Sequence, residues 1–294
     1  MSKKFTFSER GGCPICGDGR STEKVSLPYH EGAVSDFIGT YYQGRIEPES
    51  LRGGRYRILY CDACDFYYQG DILNDEGMYE LYEHIIVPEG SLAKVQGARK
   101  EYFQGHLRTA GLIGELLPVT TPHSVKVLDF GMGWGHWACA AKALGYDTMG
   151  AEISPSRIAY AAENGIRSVD INALPDACID FVHTDQVFEH VADPRQLVGE
   201  LARILRLGGV LGIGVPSAEN TAKRFKSKFV PGKDELHPLE HINGFTSDAL
   251  KRLADGAGLK VVGWTEYSTW RRRLRMLSRT MRDLGRLDMY FRKK

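Results

Sequence analysis

One stretch, residues 125–152, reading VKVLDFGMGWGHWACAAKALGYDTMGAE, constrains the fold more than any other part of the chain. Val125, Val127 and Leu128 open a short apolar run of the kind a buried parallel strand needs. The run stops at Asp129, and Gly131, Gly133 and Gly135 follow at every second position. Glycines at that density let a backbone turn sharply and approach a ligand with no Cβ in the way. Residues 136–144 have helical composition, and Gly145 stands where a C-terminal glycine ends a helix. A second apolar run, 148–151, closes on Glu152. Strand, glycine loop, helix, strand and acid in that order predict a βαβ nucleotide-binding unit.

Two cofactors compete for such a unit. A dinucleotide site wants G-x-G-x-x-G, its last glycine allowing close packing of helix on strand. Here the spacing is G-x-G-x-G and the sixth position is His136. Either cofactor presents a ribose diol, from which the carboxylate of Glu152 can accept.

The following sequence repeats the alternation. A helix is expected over 155–164, with Ser154 as N-cap and Gly165 beyond its end. Strands are expected at 166–169, closed by Asp170, at 179–184, followed by Asp185 and Gln186, and at 210–216 after a helix over 194–207. Strands and helices alternating at this spacing imply a parallel α/β sheet.

Taken together, residues 125–216 resemble class I S-adenosylmethionine (SAM) methyltransferases of the bacterial small-molecule and glycan group. VLDFGMGWG resembles the first motif, Glu152 the second, Asp170 with Ala173-Leu-Pro175 the adenine-holding turn, and DFVHTDQVFEHVADP and LRLGGVLGIGVP the fourth and fifth strands. The resemblance extends to residues 245–264, like the late helix and sixth strand, whereas no seventh strand is evident after Trp264. It implies a Rossmann-like sheet with helices on both faces, binding SAM through Asp129, Gly131, Gly133, Gly135, Glu152, Ile153, Asp170, Ile171, Asp185 and Gln186. The loop would approach the methionyl part, Glu152 the ribose, Asp170 and Ile171 the adenine, and Asp185 with Gln186 the sulfonium.

Methyl transfer is an in-line displacement, so positioning carries most of it and a base is needed only for a protonated acceptor. His190, His237 and His241 are the candidates; His241 is preferred as catalytic base, with His190 second. Residues 217–245 are the insertion in which this family builds its acceptor pocket. Residues 237–241 spell H-x-x-E-H, a zinc peptidase pattern, but Pro238 would disturb the helix that pattern requires. Residues 223–233, basic with interleaved aromatics, suit a lid over an anionic acceptor better than a nucleic-acid strip.

Ahead of the sheet stand two C-x-x-C pairs, Cys13 with Cys16 and Cys61 with Cys64. No signal sequence is visible before them, so a metal site is expected rather than disulfides, and the chain reads as cytoplasmic. Four thiolates close a tetrahedral Zn²⁺ and leave no position for water, which makes the site structural. Cys139 and Cys178 are expected in the core. The predicted layout is a zinc-ribbon-like module over 1–75, a helical connector over 76–122, the SAM domain over 123–269 and a basic tail over 270–294.

Net charge is +1 overall, yet that tail carries eight arginines and two lysines against Asp283 and Asp288. Trp270, Leu274, Leu277, Met281 and Leu284 recur at helical steps among the arginines, which predicts an amphipathic helix. Its expected partners are the body or a second copy in a homodimer, an anionic membrane at the inner face, or nucleic acid. The function expected is methylation of a small-molecule or glycan acceptor. The alternatives are an RNA or ribosomal-protein methyltransferase and an inert zinc-ribbon interaction protein.

Overall fold

A computed structural model describes residues 4–86, 92, 97, 100–118, 121–226, 229–263 and 285–294. The chain divides into two compact units, each built from separated segments.

The first unit comprises Met1–Glu89, Glu189–Pro194 and Pro216–Arg252. It begins with β1 (Phe7–Glu9), β2 (Thr22–Pro28), α1 (Gly32–Tyr41), β3 (Arg55–Cys61), β4 (Phe66–Gln69), β5 (Asp71–Leu73) and α2 (Asp75–Glu80). β1 pairs antiparallel with β5. The larger sheet runs β11-β4-β3-β2, and its β11 (Asn243–Phe245) comes from the insertion. The core under it is aromatic: Tyr29, Tyr42, Tyr56 and Tyr67 are buried together with Ile38, Ile58, Leu236 and Leu239. The insertion packs with the N-terminal module because β11 supplies a strand to its sheet and Leu236 and Leu239 fill its core.

The second unit comprises Gly90–Phe188, Arg195–Val215 and Leu253–Lys294. Its elements are α3 (Lys100–Ala110), α4 (Ile113–Leu116), β6 (Lys126–Phe130), α5 (His136–Ala143), β7 (Asp147–Ala151), α6 (Pro155–Glu163), β8 (Arg167–Ser168), β9 (Ile179–Asp185), α7 (Pro194–Ile204), β10 (Leu205–Pro216), α8 (Ser247–Asp255), β12 (Leu259–Val261) and β13 (Arg286–Lys293). α7 and β10 each cross the unit boundary by one residue, and residues 247–252 of α8 belong to the first unit. A seven-stranded sheet takes the order β12-β13-β10-β9-β6-β7-β8. β10, β9, β6, β7 and β8 are mutually parallel, and β12 pairs antiparallel with β13. This is the α/β, Rossmann-like architecture expected, as a mixed sheet.

Two local expectations change. Residues 286–293, read with the basic tail, form the seventh strand: Phe291 is fully buried and Tyr290 packs on the same core as Phe181. The proposed helix stripe of Trp270, Leu274, Leu277, Met281 and Leu284 lies outside the described residues. Cys178 and Cys139 are only partly buried, and Cys139 packs against the core cluster of Met132, Ala138, Ala161 and Ile166. Among the described residues no helix is long and apolar enough to cross a membrane.

Candidate functional site

The glycine loop leaves β6 with three left-handed residues, Gly131 at φ 69°, Gly133 at φ 53° and Gly135 at φ 75°. They are not equivalent. A Cβ on Gly131 would lie 2.4 Å from Val187 Cγ2, so that glycine is required by packing. A Cβ on Gly133 would meet nothing within 4 Å, so its absence leaves open space over the loop. The Gly133 N–H donates to Glu152 Oε2 at 2.9 Å, while Glu152 Oε1 accepts from the N–H groups of Ile153 and Ser154. The carboxylate after β7 is thus fixed by three backbone donors, with one acceptor site left on Oε2. Beside it Ile153 is 89% exposed, an apolar side chain offered to whatever lies over Glu152.

Asp129 is buried, and its Oδ2 has no hydrogen-bond partner among the described residues. Burial, then the charges of Asp185 and Glu152, push its carboxyl well above the usual range. A cation brought to that atom would reverse the cost of its charge. Asp170 caps the turn Ile171–Ala173 by accepting from Asn172 N–H at 2.9 Å. Arg203 holds the same loop through Ile171 O and Leu174 O.

Asp185 ends β9 and is met by Arg286 of β13, whose Nη2 lies 2.9 Å from Oδ1. Arg286 also grips Asp288 at 2.7 Å. Burial alone would lower the guanidinium's pKa, yet Asp288 and Asp185 outweigh it and hold the charge firmly. The ion pairs need Gly214 beside them, since a Cβ there would lie 2.6 Å from Arg286 Nη2 and 2.8 Å from Asp185 Oδ1. Gln186 follows at φ 56°, its N–H bonded to Gly214 O.

Around this end of the sheet stand side chains that the motifs do not mention. His183 stacks on Trp137 with ring centroids 3.9 Å apart, and Trp137 Nε1 donates to Thr109 of α3. His106 of α3 stacks against His136. Burial, then Arg286 and His106, push His183 down to about 3; burial, then His136 and Arg286, push His106 down to about 4. Both rings are neutral at pH 7. Arg286 and Asp288 were hidden from sequence reasoning within a charge run.

In the first unit the four expected cysteines converge. Their Sγ atoms all lie within 4.8 Å of one another, and Cys16 Sγ stands 3.7 Å from Cys61 Sγ. Thiolates at 2.3 Å from a tetrahedral ion stand about 3.8 Å apart, so the donor set fits Zn²⁺. The first knuckle is closed by Cys13 N–H to Asp18 O and Gly17 N–H to Cys13 O, the second by Cys64 N–H to Cys61 O. Gly12 is needed there because a Cβ would lie 2.9 Å from Gly17 O.

The same unit brings His190 and His241 together, ring centroids 4.9 Å apart, beside the fully buried Glu189. Burial, then His241, drives His190 down to about 3, and burial lowers His241. His237 is separate in role: it sits among Phe37, Tyr41 and Tyr42, and its Nε2 lies 3.4 Å from Glu240 Oε1. Residues 237–241 form a turn with Leu239 at φ 71°, not the helix of a zinc peptidase. The backbone is held by Gln69, whose Nε2 donates to His237 O and His241 O. In the basic strip, Phe225 and Phe229 pack onto the core and Arg224 is paired with Asp234 and Glu235. That removes those aromatics from stacking on bases.

Known proteins agree with this arrangement. A model of the Methyltransferase domain family matches residues 98–263, more than half of the chain. A probable S-adenosylmethionine-dependent methyltransferase of Mycolicibacterium smegmatis is 33% identical over 143 residues, 46% of this chain and 52% of that protein. An uncharacterised 37.1 kDa protein in transposon TN4556 of Streptomyces fradiae is 38% identical over 96 residues, 31% of this chain and 28% of that protein. The chain thus spans about half, or less, of these curated relatives. A ubiquinone biosynthesis O-methyltransferase of Xanthomonas oryzae is 25% identical over 216 residues, 66% of this chain and 82% of that one. The solved S-adenosylmethionine dependent methyltransferase of Mesorhizobium loti is 16% identical with a TM-score of 0.46, covering 62% of this chain and 96% of that one. A G-x-G-x-G loop facing open space, an acid fixed at the end of the next strand, and a family match running from before β6 through β12 agree: this chain belongs to the methyltransferase domain family.

Proposed function

We propose that this enzyme methylates a small-molecule or glycan-type acceptor, with SAM held by the second unit and a structural zinc held by Cys13, Cys16, Cys61 and Cys64. SAM supplies an electrophilic methyl group on a sulfonium. The observation that carries the binding assignment is the Gly133–Glu152 pair: an open loop whose N–H fixes a carboxylate that keeps one acceptor site on Oε2 for a ribose hydroxyl. Ile153 would cover the adenine from its exposed position, with Asp170 and the Ile171 backbone at the ring edge. Asp129 would take the ammonium, which gives its orphaned Oδ2 a donor. Asp185 and Gln186 would face the sulfonium, with Arg286 keeping Asp185 oriented.

On the acceptor side, His241 is the proposed base and His190 its neighbour. Burial depresses the basicity of both, so both rings stand unprotonated at neutral pH. The inward packing of Phe225 and Phe229 argues for a small acceptor over RNA, as does the likeness to a ubiquinone biosynthesis O-methyltransferase. For residues 270–284, with six arginines against Asp283, peripheral adsorption to an anionic membrane is the reading that charge supports.

The test is incubation with SAM tritiated on the methyl group and parallel panels of phenolic, glycan and RNA acceptors. Label is expected in a phenolic or glycan product and absent from RNA; transfer to RNA alone would overturn the acceptor class.

A further inference from the structure

We propose that Glu189, His190 and His241 form a second metal site, for a small divalent cation, distinct from the four cysteines. One ligand atom from each of the three residues lies within 4.8 Å of the others. The ring orientations carry the argument. His190 Nδ1 lies 2.9 Å from Glu240 O and 2.8 Å from Tyr82 Oη. His241 Nδ1 is bonded to Asp234 O. A backbone carbonyl can only accept, so both rings carry their proton on Nδ1 and present Nε2 as a bare lone pair. A second-shell carbonyl that fixes the tautomer is the usual support of a metal-ligating histidine.

The remaining ligand is a carboxylate. Glu189 is fully buried, and its Oε1 stands 3.8 Å from His190 Nε2. Two ligands about 2.1 Å from a tetrahedral ion stand about 3.4 Å apart, so a small inward shift completes the geometry. The cradle is rigid on the far side, because Gln69 holds His241 O and Arg10 holds Ile242 O and Ala192 O. Imidazole and carboxylate donors suit Zn²⁺ or Mn²⁺, whereas four thiolates favour Zn²⁺ over Mn²⁺. Three protein ligands leave open positions, as catalytic sites require and closed structural sites lack.

The site is inferred for ion binding alone: with an ion present both Nε2 lone pairs are committed to it, so His241 can act as base only in the ion-free protein. Metal carried through purification and Mn²⁺ taken up in an electron paramagnetic resonance titration of the full chain should sum to two ions per chain. Glu189→Gln and His241→Asn, checked for folding by circular dichroism, should each leave one. Their Mn²⁺ affinity should fall beyond the roughly ten- to hundredfold that follows loss of an outer-shell partner. A wild-type total of one ion, or either folded variant keeping both at wild-type affinity, overturns the site. SAM titration of the same samples separates the two readings, because a chain that binds SAM and only one metal ion overturns the metal site and leaves the methyltransferase assignment standing.

Discussion

The parallel-sheet unit collects its candidate cofactor residues from the ends of successive strands, whereas the cysteine-bearing unit gathers its clusters from three distant segments. In the first case Asp129 lies near the end of β6, Asp185 ends β9 and Glu152 follows β7, and β6 pairs with both neighbours, so sheet register aligns them. In the second, Arg10 shows what joins the pieces. Its guanidinium donates to Ile242 O and Asn243 Oδ1, 232 and 233 residues away, and to Ala192 O, 182 residues away. A repeated βαβ architecture places a site by topology, while a small composite unit needs buried polar clasps and a metal to hold non-local pieces at one point. The two units should therefore fail differently.

The largest effect should follow metal removal. Chelation, or Cys61→Ser, should abolish the zinc and unfold the knuckles, since structural zinc contributes on the order of 10 kcal/mol to small metal-bound modules. Elemental analysis with thermal melting should find lost metal and a new low-temperature transition, while SAM still binds. A zinc-free protein melting as one unchanged transition would erase the contrast between the units.

A smaller loss should come from the sheet that needs no metal. Phe291→Ala removes a fully buried ring from β13 and should cost about 3–5 kcal/mol in urea unfolding. The last strand also bears on truncation. A chain ending at Tyr267 would lose the strand between β12 and β10 together with Arg286.

Acid should weaken the second unit more gently. His183 and His106 titrate near 3 and 4 in the folded chain, against about 6.5 when unfolded. Between those values the unfolded chain binds more protons, so stability is complete above about pH 6.5 and falls as pH drops toward 4. Each ring contributes a slope of at most about 1.4 kcal/mol per pH unit. His183→Phe keeps the stack on Trp137 and should flatten the dependence of the urea midpoint on pH. An unaltered slope would remove His183 from the acid-sensitive set.

The contrast also explains what could be read from the chain. The βαβ order, the glycine loop and Glu152 were legible because each is a local pattern with a physical reason at that spacing. The two C-x-x-C pairs were legible as ligands, although their 44-residue separation did not reveal the sheet between them. β13 was not legible: Leu287, Met289 and Phe291 alternate at strand spacing, but flanking arginines and lysines read as a charged tail. Nor was the pairing of Asp185 with Arg286, 101 residues apart, or the adoption of the insertion by the N-terminal sheet. Those depend on which strand edges remain available after the rest has folded, and no local pattern records that.

The central claim is that Glu152, fixed by the loop's own N–H, anchors SAM. Isothermal calorimetry of SAM with the wild-type protein and with Glu152→Ala, folded by circular dichroism, tests it most directly. One SAM should bind per wild-type chain. Removing a charged acceptor of a ribose hydroxyl should cost about 1.5–3 kcal/mol, a roughly ten- to hundredfold weaker Kd. No binding by the folded wild type, or an unchanged Kd in the folded variant, would contradict the account.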